Sequence, residues 1–112
     1  MTRGPINVLV IFQSRSGRTE ALALAAAVGA VQARANIRIR QLPSSGEEST
    51  EQSETMVRMR REYVPPMPAD TKWADAVIVA MNGQISGIEI DLEAATAYGR
   101  QIVRDLRALL VE

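Results

Sequence analysis

The sequence predicts an α/β fold, a short parallel sheet with helices on both faces. Three observations carry this. Three segments with strand composition alternate with three of helical composition along the chain. The first and third strand segments are almost wholly apolar, as strands buried on both faces are. Right-handed crossovers between parallel strands then distribute the helices over the two faces. With 112 residues, 46% of them hydrophobic, the chain supports a single domain over 1–112. Such a domain hides about 65% of the surface its unfolded form exposes.

The first strand is residues 6–12, a branched apolar run that ends in a Ser/Gly/Thr turn. From Thr19 to about Arg34 the chain is rich in Ala and Leu. Leu22, Ala25, Ala26 and Gly29 fall at helical spacing, small enough for close packing on a sheet. Residues 36–42 alternate Ile37, Ile39 and Leu42 with Arg38 and Arg40, which predicts an edge strand stopped by Pro43. Residues 44–53 hold no apolar side chain and read as a mobile polar loop. A short helix carrying Met56, Val57 and Met59 follows to about Tyr63, and Pro65, Pro66 and Pro68 forbid its continuation into the loop that leads to Trp73.

The third strand is residues 75–81, and Asn82, Gly83 and Gly87 mark a loop after it. Residues 91–111 place Leu92, Ala95, Gly99, Ile102, Val103, Leu106, Leu109 and Leu110 on one helical stripe, with Asp91 as N-cap.

Composition removes several kinds of chemistry. The chain has no Cys and no His, hence no thiol nucleophile, no thiolate or imidazole metal site and no serine–histidine triad. Its apolar runs are far shorter than the ~20 residues of a membrane span, and its start lacks a signal-peptide pattern, so the expectation is a cytoplasmic protein without a membrane partner. Aromatic residues are only 4%, and no basic run is interleaved with them, which argues against nucleic acid. Charge is unevenly spread: residues 1–46 carry six arginines against Glu20 alone, whereas 47–112 carry seven basic residues against twelve acidic ones. The basic half is the half expected to attract an anion.

The segment Gln13-Ser14-Arg15-Ser16-Gly17-Arg18-Thr19 lies between a strand end and a helix start, where peptide N–H groups and the helix dipole converge on an anion. Ser14, Ser16 and Thr19 offer hydroxyls, Gly17 lets the backbone approach closely, and Arg15 or Arg18 adds positive charge. A polar turn whose Ser and Thr only cap the helix has the same composition. Walker and dinucleotide loops do not fit, since there is no Gly-Lys pair and Gly17 stands alone.

The run from Val8 to Ala23, with its Ser14-Arg15-Ser16-Gly17-Arg18-Thr19 loop, resembles the opening of flavodoxin-like proteins, whose corresponding loop binds the phosphate of FMN. Further similarity lies in Met59-Arg60-Arg61-Glu62-Tyr63-Val64-Pro65-Pro66, in Trp73-Ala74-Asp75-Ala76-Val77-Ile78-Val79, and in Asp91-Leu92-Glu93-Ala94-Ala95 with Tyr98-Gly99-Arg100. This ordered series resembles the Trp-repressor-binding type of NAD(P)H:quinone oxidoreductase over nearly the whole chain. The resemblance implies a three-layer flavodoxin-like sandwich with strand order 2-1-3. It also implies FMN as cofactor, NAD(P)H as electron donor and a quinone or similar small acceptor. By the same resemblance Ser14, Arg15, Ser16, Gly17, Arg18 and Thr19 hold the phosphate, and Asn82 and Gly83 stand at the flavin-contacting loop after the third strand.

The chain departs from that family in having no counterpart of its fourth and fifth strands, and in carrying Met81-Asn82-Gly83-Gln84-Ile85 where the family has a Thr-Pro-type turn. An alternative reading is therefore a shortened module that binds phosphate weakly or not at all and serves as an interaction unit. Trp73 is a candidate flavin-stacking group or a packing anchor, and Met56, Met59 and Met67 are a binding surface or core filler. The third strand, apolar and with no later strand to pair with, presents a sticky edge. Either residues 85–90 fold back over it, or a second chain pairs there, or the protein aggregates. The expectation is a homo-oligomer through the third strand.

Overall fold

A computed structural model of the chain describes residues 5–14, 17–42 and 54–110, with backbone alone at 54–56, 60 and 110. The expected polar loop at 44–53 lies outside the described residues. The elements in order are β1 (Asn7–Gln13), α1 (Arg18–Gln32), β2 (Asn36–Gln41), α2 (Glu54–Glu62), α3 (Pro68–Trp73), β3 (Ala76–Met81), β4 (Gln84–Ile85), β5 (Ile88–Glu89) and α4 (Leu92–Leu110). They form an α/β fold around one open mixed sheet of order β2-β1-β3-β4-β5. β1 pairs in parallel with β2 on one side and β3 on the other, in register Val10 with Ile39 and Ile78. The expectation of a short all-parallel sheet is therefore met only in part: three parallel strands in the order 2-1-3 are the larger portion of a five-stranded mixed sheet.

Two short antiparallel strands extend it. Asn82 and Gly83 both have positive φ, 53° and 73°, the requirement of a two-residue type I′ hairpin. This turn folds β4 back on the end of β3, pairing Met81 with Gln84 and Ala80 with Ile85. Ser86 and Gly87 make a second such turn, also at positive φ, and lead into β5. The expected loop after β3 is therefore a pair of hairpins, and the chain itself folds back at the place where a second chain was expected. α3 was also expected to be loop; Pro68 opens it at a position where the missing N–H costs nothing.

Pleating divides the sheet side chains into two sets. Val8, Val10, Phe12, Ile78, Ala80 and Ile85 point to the front, where with Leu22, Ala23, Ala26, Ala30, Ala95 and Val103 they form the core. The small residues of α1 pack there less against the sheet than against α4. A Cβ at Gly29 would collide with the Thr96 carbonyl, and one at Gly99 with that of Ala26, so the helices approach to backbone contact. Asp91 caps α4 as expected, its Oδ1 accepting from the Ala94 N–H at 2.8 Å. Leu92 and Leu109, placed on the buried stripe by periodicity, are exposed.

The back of the sheet departs most from expectation. Among the described residues α3 is the helix that covers it, six residues long. It is held where Arg38 and Arg40 of β2 both bind the Asp70 carboxylate at 2.9–3.1 Å, and where the Arg38 guanidinium lies 4.2 Å from the centre of the Trp73 ring. Val77 and Val79 of β3 remain 45% and 37% exposed, so β3 is not covered on both faces. No helix among the described residues is long and apolar enough to cross a membrane.

Candidate functional site

The connection from β1 crosses the front of the sheet to β2, while the chain leaving β2 returns past β1 to β3 by way of α3 on the back. β1 is followed by a crossover toward β2 and β3 by a hairpin toward β4, so the chain leaves their adjacent carboxyl ends in opposite directions, the place where ligands sit in the crevice of open α/β sheets. Here those ends are Gln13-Ser14 after β1 and Asn82-Gly83 after β3.

Ser14 is buried directly after β1, and its Oγ accepts from the Gly17 N–H at 3.1 Å. Gly17 has φ 94° and closes this turn as the N-cap of α1, a cap without a side chain to occupy the helix end. Thr19, also buried, accepts at Oγ1 from the Gly83 N–H at 2.9 Å. A threonine hydroxyl that accepts can also donate its own proton. The Arg18 side chain lies against Gly83, with Nε 3.3 Å from where a Cβ would stand. Arg18 and Thr19 thus meet Gly83, Ser14 and Gly17 close the turn just before them, and exposed Asn82 stands beside Gly83 at the tip of the hairpin. Arg15 and Ser16 lie outside the described residues.

Glu20, in the first turn of α1, is the acidic residue best placed to cap that helix end itself. It faces α2 instead. Arg58 donates to its two oxygens at 2.6 and 3.1 Å, Tyr63 donates its phenolic proton at 2.6 Å, and Arg58 also binds Glu62 at 2.7 Å. The Arg58 hydrogen bonds hold the Glu20 carboxyl below its usual range, with Tyr63 adding to the effect. Burial, and then the bond to Glu20, push the Tyr63 phenol up to about 12. The carboxylate nearest the loop is therefore neutralised by a neighbouring helix, leaving the positive end of α1 to act on a ligand. Tyr63 also stands edge-on to Phe12, with ring centres 4.9 Å apart, so the triad is anchored to the core just below the loop.

Sequence reasoning missed Glu20, Arg58 and Tyr63 as a unit. The spacing of Arg58 and Glu62, four apart on one helix, was a visible sign of a pair, but nothing in the sequence joins residue 20 to residue 58. Trp73 belongs elsewhere: its carbonyl accepts from the Asn7 side chain at the opposite end of β1, about 20 Å along the strand from the crevice. Tyr98 shares a hydrogen bond with Ser86, and Asp75 accepts from the Asn7 N–H. Met59 is core, whereas Met67 is exposed.

Among the described residues the donor set is hydroxyls, a guanidinium and a helix N-terminus, groups whose chemistry suits an oxyanion. No protein-family model and no curated protein matches the chain.

Proposed function

We propose that the crevice at the ends of β1 and β3 binds FMN through its phosphate, in a reduced flavodoxin-like unit of the NAD(P)H:quinone oxidoreductase type, acting in the cytoplasm. The observation that carries this reading is the Thr19–Gly83 hydrogen bond, which draws together two segments 64 residues apart at the switch point of the sheet. The phosphate end fits the residues present: Ser14 and Thr19 hydroxyls, Arg18 and the side-chain-free turn at Gly17 surround the start of α1. The bound flavin supplies the hydride and electron chemistry; this chain's residues bind and orient it.

The test is a titration with FMN and, separately, with riboflavin, which lacks the phosphate. FMN should bind and riboflavin should bind at least tenfold less tightly. Replacing Ser16 and Thr19 by Ala removes two bonds to a charged acceptor, each worth about 1.5–3 kcal/mol, so FMN affinity should again fall at least tenfold. Equal affinity for both flavins, or an unchanged double variant, refutes the site. Quinone reduction by NAD(P)H should depend wholly on flavin, and turnover by flavin-stripped protein would contradict the reading.

A second reading has one observation in its favour. The Asn82–Gly83 turn is closed as a tight hairpin, which leaves little loop to border a flavin ring. On that reading the crevice takes a simple phosphate compound, and FMN would bind no better than inorganic phosphate.

A further inference from the structure

The back of β3 is the largest feature that the flavin reading leaves unused. β3 is the central strand of five, yet Val77 and Val79 point to the back half exposed, beside Ile11 of β1 and Met81. The edge of β3 offers less than its face. β4 pairs with Ala80 and Met81, and the Ser86 N–H bonds the Val79 carbonyl at 2.8 Å, so only the lower end of the strand stays open.

We propose that two copies of this chain pack back to back through this face, with the two-fold axis running along β3. Charge selects the occupant. On one flank Arg38 and Arg40 share the single carboxylate of Asp70, leaving net positive charge. On the other flank Glu89 of β5 is exposed, and by register it lies on the same face as Gln84 and Met81. A two-fold axis along β3 sets β2 of each copy opposite β5 of the other, so arginine meets Glu89 twice. Arg40 is level with Val79, and Glu89 with Met81. This offset is two residues, about 7 Å, within reach of an arginine side chain.

Shape agrees with charge. α3 stands on the back of β2 as a step that runs toward the Asn7 end of the sheet. Among the described residues no strand lies beside β3 at that same level, because β4 extends no further down than Ile85. The symmetry operation brings the step of one copy into the gap of the other, while Val77 and Val79 meet their symmetry mates at the aligned separation of packed sheets, about 10 Å. An apolar ligand or an anionic lipid surface would gain nothing from Glu89.

The experiment is light scattering on size-separated protein at micromolar concentrations, without added flavin. The wild type should elute at twice the mass of one chain. Val79→Lys, an exposed position whose replacement leaves the core intact, should elute at the single-chain mass with an unchanged circular dichroism spectrum. Glu89→Arg should weaken the dimer at least tenfold. The chain has no cysteine, so Val79→Cys should form a disulfide-linked dimer quickly under mild oxidation and Val31→Cys, exposed on α1, should not. A wild type of single-chain mass, or a Val79→Lys variant that stays dimeric, overturns the proposal. Mass is read independently of flavin, so a dimer that fails to bind FMN would leave this interface standing and remove only the functional reading.

Discussion

The two faces of the sheet are built from the same strands and end differently. On the front, α1 and α4 close over Val8, Val10, Phe12 and Ile78, approaching each other to backbone contact at Gly29 and Gly99. On the back, a six-residue helix held by Arg38, Arg40 and Asp70 covers β2 and leaves Val77 and Val79 in water. The difference teaches that apolar composition records a demand for burial without naming what meets it. The front meets it within the chain. The back meets half of it with an ion-paired helix and leaves the other half as a surface.

Neighbouring residues of β3 put this to the sharpest test. Ile78→Ala empties a fully buried front position and should destabilise by about 3 kcal/mol, whereas Val77→Ala on the back should cost under about 1 kcal/mol in a monomer. Denaturant unfolding measures both, and similar losses would erase the distinction. Next in size is Gly99→Ala, which gains about 1 kcal/mol of helix propensity. It also forces a methyl group onto a carbonyl that has no rotamer by which to move aside, an overpacking cost toward the upper end of about 1–3 kcal/mol. The expected result is a net loss and a melting point several degrees lower; a stabilised variant would show that the helices are not in contact.

Both faces are also tied by carboxylates held below their usual range: Glu20 by Arg58 and then Tyr63 at the front, Asp70 by Arg40, the Met67 N–H and Arg38 at the back. A depressed carboxyl stabilises the fold while ionised, so this stability is present above about pH 4.5 and lost as pH falls through the lower folded values. Glu20→Gln and Asp70→Asn should each flatten part of the acid limb of a stability–pH curve, and together more than either alone. Tyr63→Phe removes one hydrogen bond to the Glu20 carboxylate, which keeps Arg58, a loss at the lower end of about 1.5–3 kcal/mol. Because the folded phenol titrates at about 12 against an ordinary 10, wild-type stability is complete below pH 10 and declines as pH rises toward 12. The phenylalanine variant should lose that alkaline limb.

Legibility in the sequence followed the same division. β1, α1, β3 and α4 were readable because long periodic runs report local structure, and Asp91 was readable as a cap because its partner is three residues away. The order of β1, β2 and β3 came from the resemblance alone, since crossover handedness distributes helices over the two faces without fixing which strands are neighbours. Asn82-Gly83 carried a hairpin signal that reading it only as a loop passed over. α3 was hidden because six residues are too few to show a period. The long-range links of the two ion-paired clusters were not legible, since Glu20 with Arg58 and Arg38 with Asp70 are joined only by the folded chain. At the ends of β1 and β3 the sequence singled out Ser14, Gly17, Arg18, Thr19, Asn82 and Gly83 separately, while the meeting of Thr19 with Gly83 depended on a hairpin it did not foresee.

The most direct test of the account is a nitrogen–proton correlation spectrum of the labelled protein recorded through an FMN titration. The account predicts saturable shifts at the amides of Gly17, Arg18, Thr19 and Gly83, with those of Asp70 and Trp73 on the back unmoved. Shifts confined to α3 and β2, or no saturable shift at the ends of β1 and β3, would contradict it.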